Sequence, residues 1–182
     1  MKSFYAPADG ESKAARYARV ARECQAILEG IDDPVAAMAI VAGQVYDNVP
    51  GTSWAGFYRR VAPGLLRVGP YRGPLPCLEI PFEKGVCGAA ARERRTQLVP
   101  DVHAFPGHIA CDEGARSELV VPILDAAGST VAVLDLDSHA PAHFDAEDAA
   151  GLEALVRALR PRLAGTGGGG RDPGRTRHEA AD

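Results

Sequence analysis

Between Tyr17 and Leu28 the apolar residues Tyr17, Val20, Cys24, Ile27 and Leu28 fall at i, i+3, i+7, i+10 and i+11. That spacing draws one apolar stripe along a helix. A break runs from Glu29 to Pro34, and Asp33-Pro34 supplies the N-cap and first-turn chemistry of a second helix. Val35, Met38, Ala42 and Val45 line one side of it. After Asn48-Val49-Pro50-Gly51 the pattern changes. TSWAGFYRR, LLRVGPY and LEIPF are short aromatic or β-branched runs, punctuated by Pro63-Gly64 and Gly73-Pro74, and predict three strands.

GVCGAAARERR predicts a short helix opened by Gly85, and TQLVP a further strand. The polar stretch from Asp101 to Ser117 is too long for a mere connection. ELVVPIL and TVAVLDLD then form a hairpin through Asp125-Ala126-Ala127-Gly128. Beyond Pro141 to Asp145, Leu152, Leu155, Val156, Leu159 and Leu163 trace a closing helix. Asp145 is its expected N-cap, with Asp148 three residues on. Strands joined by hairpins imply an antiparallel sheet with helices packed on it, an α+β fold. The stretch from Ala164 to Asp182, AGTGGGGRDPGRTRHEAAD, has little to bury and is expected to be a disordered tail. Residues 1–163 form the expected domain.

Composition narrows the class. A chain of 182 residues with 46% hydrophobic content suits one domain. The net charge of −4 is spread without basic blocks, which argues against a nucleic-acid partner. No apolar run approaches the ~20 residues of a membrane-spanning helix, and the N-terminus lacks the apolar core of a secretory signal. A cytoplasmic protein is expected, with its four cysteines starting as thiols.

Cys24 lies on the first helical stripe and reads as a small buried hydrophobe. Cys77, Cys87 and Cys111 sit on no obvious core stripe. Cys77 follows Pro76 and opens a predicted strand. Cys87 enters the first turn of a helix, where backbone N–H groups favour a thiolate. Cys111 lies in the long loop. His103, His108 and Cys111 offer ligand types from one loop, but the paired spacings of zinc sites are missing, so no metal is expected. Nucleophilic thiol chemistry fits better, with one loop cysteine and others able to close a disulfide on it. Asp135 and Asp137 share one face of a strand, and Glu118 opens the strand before it. These acids either end a strand in solvent or bind an ammonium group and carry a proton.

WAGFY (54–58), IPFEKGVCGAAA (80–91) and TQLVPDVHAFPGHIACD (96–112), followed by SELVVPI, VLDLDS, FDAED and GLE, resemble the free methionine-(R)-sulfoxide reductases, which are built on a GAF domain. The similarity runs from about Tyr46 to Leu159. The resemblance implies a six-stranded antiparallel sheet, helices on one side and a closed pocket under the long loops. It implies reduction of the free R-sulfoxide, with Cys111 as nucleophile and Cys77 as its disulfide partner. Cys87 would be catalytic or auxiliary. Glu118, Asp135 and Asp137 match the acids lining the family's pocket, and Trp54 and Tyr58 the aromatics near substrate. No cofactor is called for, thioredoxin is the expected reductant, and a homodimer is expected. The competing reading is a GAF small-ligand or redox sensor without turnover.

Overall fold

Why each segment adopts its structure is visible at its ends. In the computed structural model, which describes residues 10–109 and 111–165, helix α1 (Lys13–Ile27) is capped by Ser12, which accepts the Ala15 amide. Helix α2 (Pro34–Asn48) is capped by Asp33, whose carboxylate accepts the Val35 and Ala36 amides. Strands β1 (Trp54–Ala62), β2 (Leu65–Arg72) and β3 (Glu79–Pro81) follow. Helix α3 (Gly85–Glu93), β4 (Gln97–Val99), β5 (Ser117–Leu124), β6 (Thr130–Ser138) and α4 (Ala146–Leu163) complete the order. Asp125 shapes the β5–β6 turn by accepting the Ala127 and Ser129 amides. At α4 the Asp145 side chain and the Asp148 side chain cap reciprocally, as the sequence predicts.

The sheet order is β3-β2-β1-β6-β5-β4, with every neighbouring pair antiparallel. The chain leaves β3 at one edge and re-enters as β4 at the other, so the connecting helix α3 must cross the sheet. It does so on the face opposite α1, α2 and α4. The expectation of helices on one side is therefore corrected: three lie on one face and α3 on the other. On the three-helix face, Ala55, Phe57, Leu119, Val121, Ile123, Ala132, Leu134 and Leu136 pack with Val20, Cys24, Val41, Leu152 and Leu155. On the α3 face, Trp54, Tyr58, Val120 and Val133 meet Val86, Cys87, Ala90 and Ala91. Both faces of β5 and β6 are covered, so the apolar residues of VAVLDLD do not alternate cleanly with its acids.

Three local expectations are adjusted. Val35 is exposed and not part of the buried side of α2. The TQLVP strand is only three residues long, and the described residues of the loop after it contain a single 3-10 turn, Val102–Ala104. Cys24 is fully buried in the three-helix core, as predicted, and burial pushes its thiol up to about 12. The Gly-rich tail beyond residue 165 lies outside the described residues. Among the described residues no helix is long and apolar enough to cross a membrane.

Candidate active site

Strand register assembles the site. Antiparallel partners share a face, so Trp54, Asp137 and Glu118 form one row across β1, β6 and β5. Gly56, Asp135 and Val120 form the next row, and Tyr58 with Val133 the one after. Trp54 stacks against Tyr71 of β2 at a centroid distance of 5.4 Å and against Tyr58 at 5.7 Å. Gly56 allows this. A Cβ there would lie 2.3 Å from the Tyr71 Cβ and 2.6 Å from the Trp54 ring, so only a bare backbone fits beneath the indole. From above, α3 lowers Cys87 onto the two rows. Gly88 lets it come close, since a Cβ there would meet the Pro81 carbonyl oxygen at 2.6 Å.

The Cys87 thiol donates to Glu118 Oε1 at 3.8 Å, and ligand atoms of Cys87, Glu118 and Asp135 all lie within 4.8 Å of one another. These three are the described residues grouped as metal-ligand types; the loop set His103, His108 and Cys111 is not. In this state the Cys111 sulfur is engaged elsewhere, bonded to Cys77 across a Cα–Cα distance of 5.0 Å. Cys111 lines the pocket, while Cys77 sits behind it in the coil before β3. Cys77 therefore does not open a strand, because β3 begins two residues later. The Tyr58 hydroxyl donates to the Cys77 carbonyl at 3.1 Å and ties that coil to the sheet.

Burial decides the protonation of the acids. It drives Glu118 well above the carboxylate range, reinforced by Asp135 and Asp137, and Asp137 likewise, reinforced by Asp135 and Asp112. Burial lifts Asp135 to about 7, while hydrogen bonding with Cys87 and Glu118 pulls the other way. Three carboxyls in one dry site cannot all ionise, so near neutrality the cluster holds protons as well as charge. The expected Cys87 thiolate is corrected for the same reason. Burial, then the charges of Asp135 and Glu118, push its thiol well up, which outweighs the helix N-terminus. Three of the seven side-chain atoms buried without a hydrogen-bond partner among the described residues are Trp54 Nε1, His108 Nε2 and Asp135 Oδ1. Polar atoms left in this way are costly, and all three belong to residues of the pocket wall.

The sequence reading missed part of that wall. Ile80, Ile109 and Asp112 also line the pocket. Asp112 accepts the Gly114 amide and lies 2.8 Å from His139 Nε2, a hydrogen bond that ties the Cys111 loop to the end of β6. Its position beside Cys111 was the available signal. Tyr71 was missed because its role depends on the stack over Gly56.

The buried cluster yields a stability prediction. Folded Asp135 holds its proton up to about 7, whereas an ordinary aspartate releases it near 3.8. Its favourable contribution is thus complete below about pH 4 and is lost as pH rises towards 7. Asp135→Asn is expected to melt a few degrees above the wild type at pH 8, the two converging near pH 4. Thermal denaturation across that range, under reducing conditions, checks it. A variant less stable than the wild type at pH 8 would contradict the protonation assigned to the site.

The family model for the GAF domain matches residues 24–160. Free methionine-R-sulfoxide reductase of Escherichia coli is 37% identical over 155 residues, which cover 85% of this chain and 93% of that protein. The chain belongs to the free methionine-R-sulfoxide reductase family of GAF domains. Among solved structures, the free methionine-R-sulfoxide reductase of Neisseria meningitidis in complex with its substrate superposes with a TM-score of 0.79 at 39% identity, covering 85% of this chain and 92% of that one. A protein of Burkholderia vietnamiensis described as a GAF sensor superposes with a TM-score of 0.81 at 44% identity, covering 85% and 97%.

Proposed function

We propose that the protein reduces free methionine (R)-sulfoxide to methionine through thiol chemistry in the Trp54–Cys111 pocket. The observation that carries this reading is a disulfide between Cys77 and Cys111 set at the wall of a pocket that also holds two buried carboxyls, Glu118 and Asp135, and the half-buried Asp137. Family membership supports the same substrate. Oxide is a poor leaving group, so the sulfoxide oxygen must receive a proton as sulfur is attacked. Glu118 and Asp137 are protonated by burial and supply it; Asp135, the most acidic of the three, is the carboxylate for the substrate ammonium.

The cycle balances in three steps. The Cys111 thiolate attacks the sulfoxide sulfur as a pocket acid protonates its oxygen; the oxygen passes to the Cys111 sulfur, its bond to the substrate sulfur breaks, methionine departs, and Cys111 is left as a sulfenic acid. The Cys77 thiol attacks that sulfur, water leaves, and the disulfide forms. An external dithiol, thioredoxin by expectation, then returns two electrons and becomes a disulfide itself. Cys87 stays protonated beside Glu118 and acts as an auxiliary thiol, its S–H holding that carboxyl in place. Trp54, stacked between Tyr58 and Tyr71, packs against the methyl-sulfur end. The protein is expected to work in a reducing compartment such as the cytoplasm, as a homodimer.

The deciding experiment supplies separate R and S free methionine sulfoxide with dithiothreitol, or with thioredoxin and its reductase, and follows methionine release. Turnover of the R epimer with little of the S epimer is expected. Tight binding of either epimer without methionine release would instead make the domain a sensor.

A further inference from the structure

We propose that the coil Gly73–Leu78 is the docking surface for the protein dithiol that reopens the disulfide, and that this partner attacks Cys77. The proposal rests on the reductase reading for its purpose, though its chemistry needs only the Cys77–Cys111 bond. Leu75 and Leu78 are 77% and 62% exposed, the two most exposed large hydrophobics among the described residues, and they bracket Cys77. Large apolar side chains left in water on both sides of a reducible bond mark a contact surface. The occupant follows from that bond. It is a small protein whose reactive dithiol sits in an apolar rim, because covering the two leucines brings its thiol onto the sulfur between them.

The backbone agrees. Among the described residues the amides of Leu75 and Cys77 donate to no backbone or side-chain acceptor. They lie just before β3, the outermost strand, which pairs only with β2. An extended segment at a sheet edge with free amides can accept main-chain pairing from a partner.

Electrostatics and access select the sulfur. Cys111 forms part of the pocket wall beside Asp112, whose carboxylate is held ionised by the His139 and Gly114 contacts, and the pocket leaves too little room there for a protein. Cys77 lies in the coil between β2 and β3 and, unlike Cys111, is not one of the residues lining the pocket. A thiolate attacking Cys77 Sγ forms the intermolecular S–S bond and breaks Cys77–Cys111. The electron pair leaves on Cys111, which takes up a proton or stays a thiolate ready for the next sulfoxide. The partner's second thiol then attacks the mixed disulfide, freeing Cys77 and leaving the partner oxidised.

The test uses the full chain with its disulfide preformed and no sulfoxide. A thioredoxin whose second active-site cysteine is serine should be trapped on Cys77, as mapped by non-reducing peptide analysis. Leu78→Ser should slow reduction by native thioredoxin about fivefold, with reduction by dithiothreitol unchanged within twofold and Leu78→Met close to wild type. Trapping on Cys111, an unaffected Leu78→Ser rate, or equal slowing with dithiothreitol would each overturn the proposal. Failure of the reductase reading shows separately, as no methionine release with dithiothreitol, and leaves these stoichiometric rates readable.

Discussion

Cys111→Ser is expected to lower sulfoxide reduction at least about 10³-fold while the folded state, compared under reducing conditions, is nearly unchanged. Serine occupies almost the same space, but its hydroxyl gives no useful nucleophile near neutral pH. The side chain is only partly buried, at the edge of the α3-face core, so a near-isosteric change loses little packing. Cys77→Ser separates the two thiols. It should still release one methionine per chain in a single turnover, then stall with Cys111 oxidised and unable to close the disulfide. Cys24→Ser, inside the three-helix core, should keep full turnover and lose stability. Reduction by Cys111→Ser within a few-fold of wild type would move the nucleophile's role to another cysteine, with Cys87 the one already in the pocket.

The element order was legible because the helices announce themselves by caps. Asp33 and Asp145 each perform the role their spacing predicts. What the pattern could not give was which face each strand presents. Period-two alternation reports a face only when the other face is wet. In β6, Ala132, Leu134 and Leu136 enter one core while Val133, Asp135 and Asp137 enter the other side, so neither set reads as the solvent side. From residues alone the acids therefore stood equally well at a solvated strand end.

The cysteines show a second limit. Cys77 and Cys111 are 34 residues apart and meet only because the coil before β3 and the loop after β4 both close over the α3 face. Spacing does not encode that meeting; the family resemblance did. Cys87 shows a third. A helix N-terminus favours a thiolate only where the charge is hydrated or paired with a cation, and here the neighbours are Glu118 and Asp135. Local position pointed one way, and the tertiary surroundings of the sulfur pointed the other and prevailed.

N-acetylation of the substrate is expected to lower kcat/KM by about 100-fold or more, and its pH dependence carries the reason. The pocket confines Glu118, Asp135 and Asp137 together, so below about pH 7 ionising Asp135 is favourable only when a cation arrives. A free amino acid brings that cation; an N-acetyl amide brings a neutral donor and leaves Asp135 either protonated or unpaired. Asp135 gives up its proton at about 7 in the free protein. Below that pH the ammonium group must expel a proton to bind. The KM for free sulfoxide should then rise towards tenfold per unit as pH falls from 7 to 5, while the KM of the N-acetyl compound stays flat. Asp135→Asn should remove this slope for the free substrate and bring its KM close to that of the N-acetyl compound. Equal kcat/KM for the two substrates, or a KM for free sulfoxide indifferent to pH below 7, would detach the acid cluster from ammonium binding and open the pocket to sulfoxides carried within peptides.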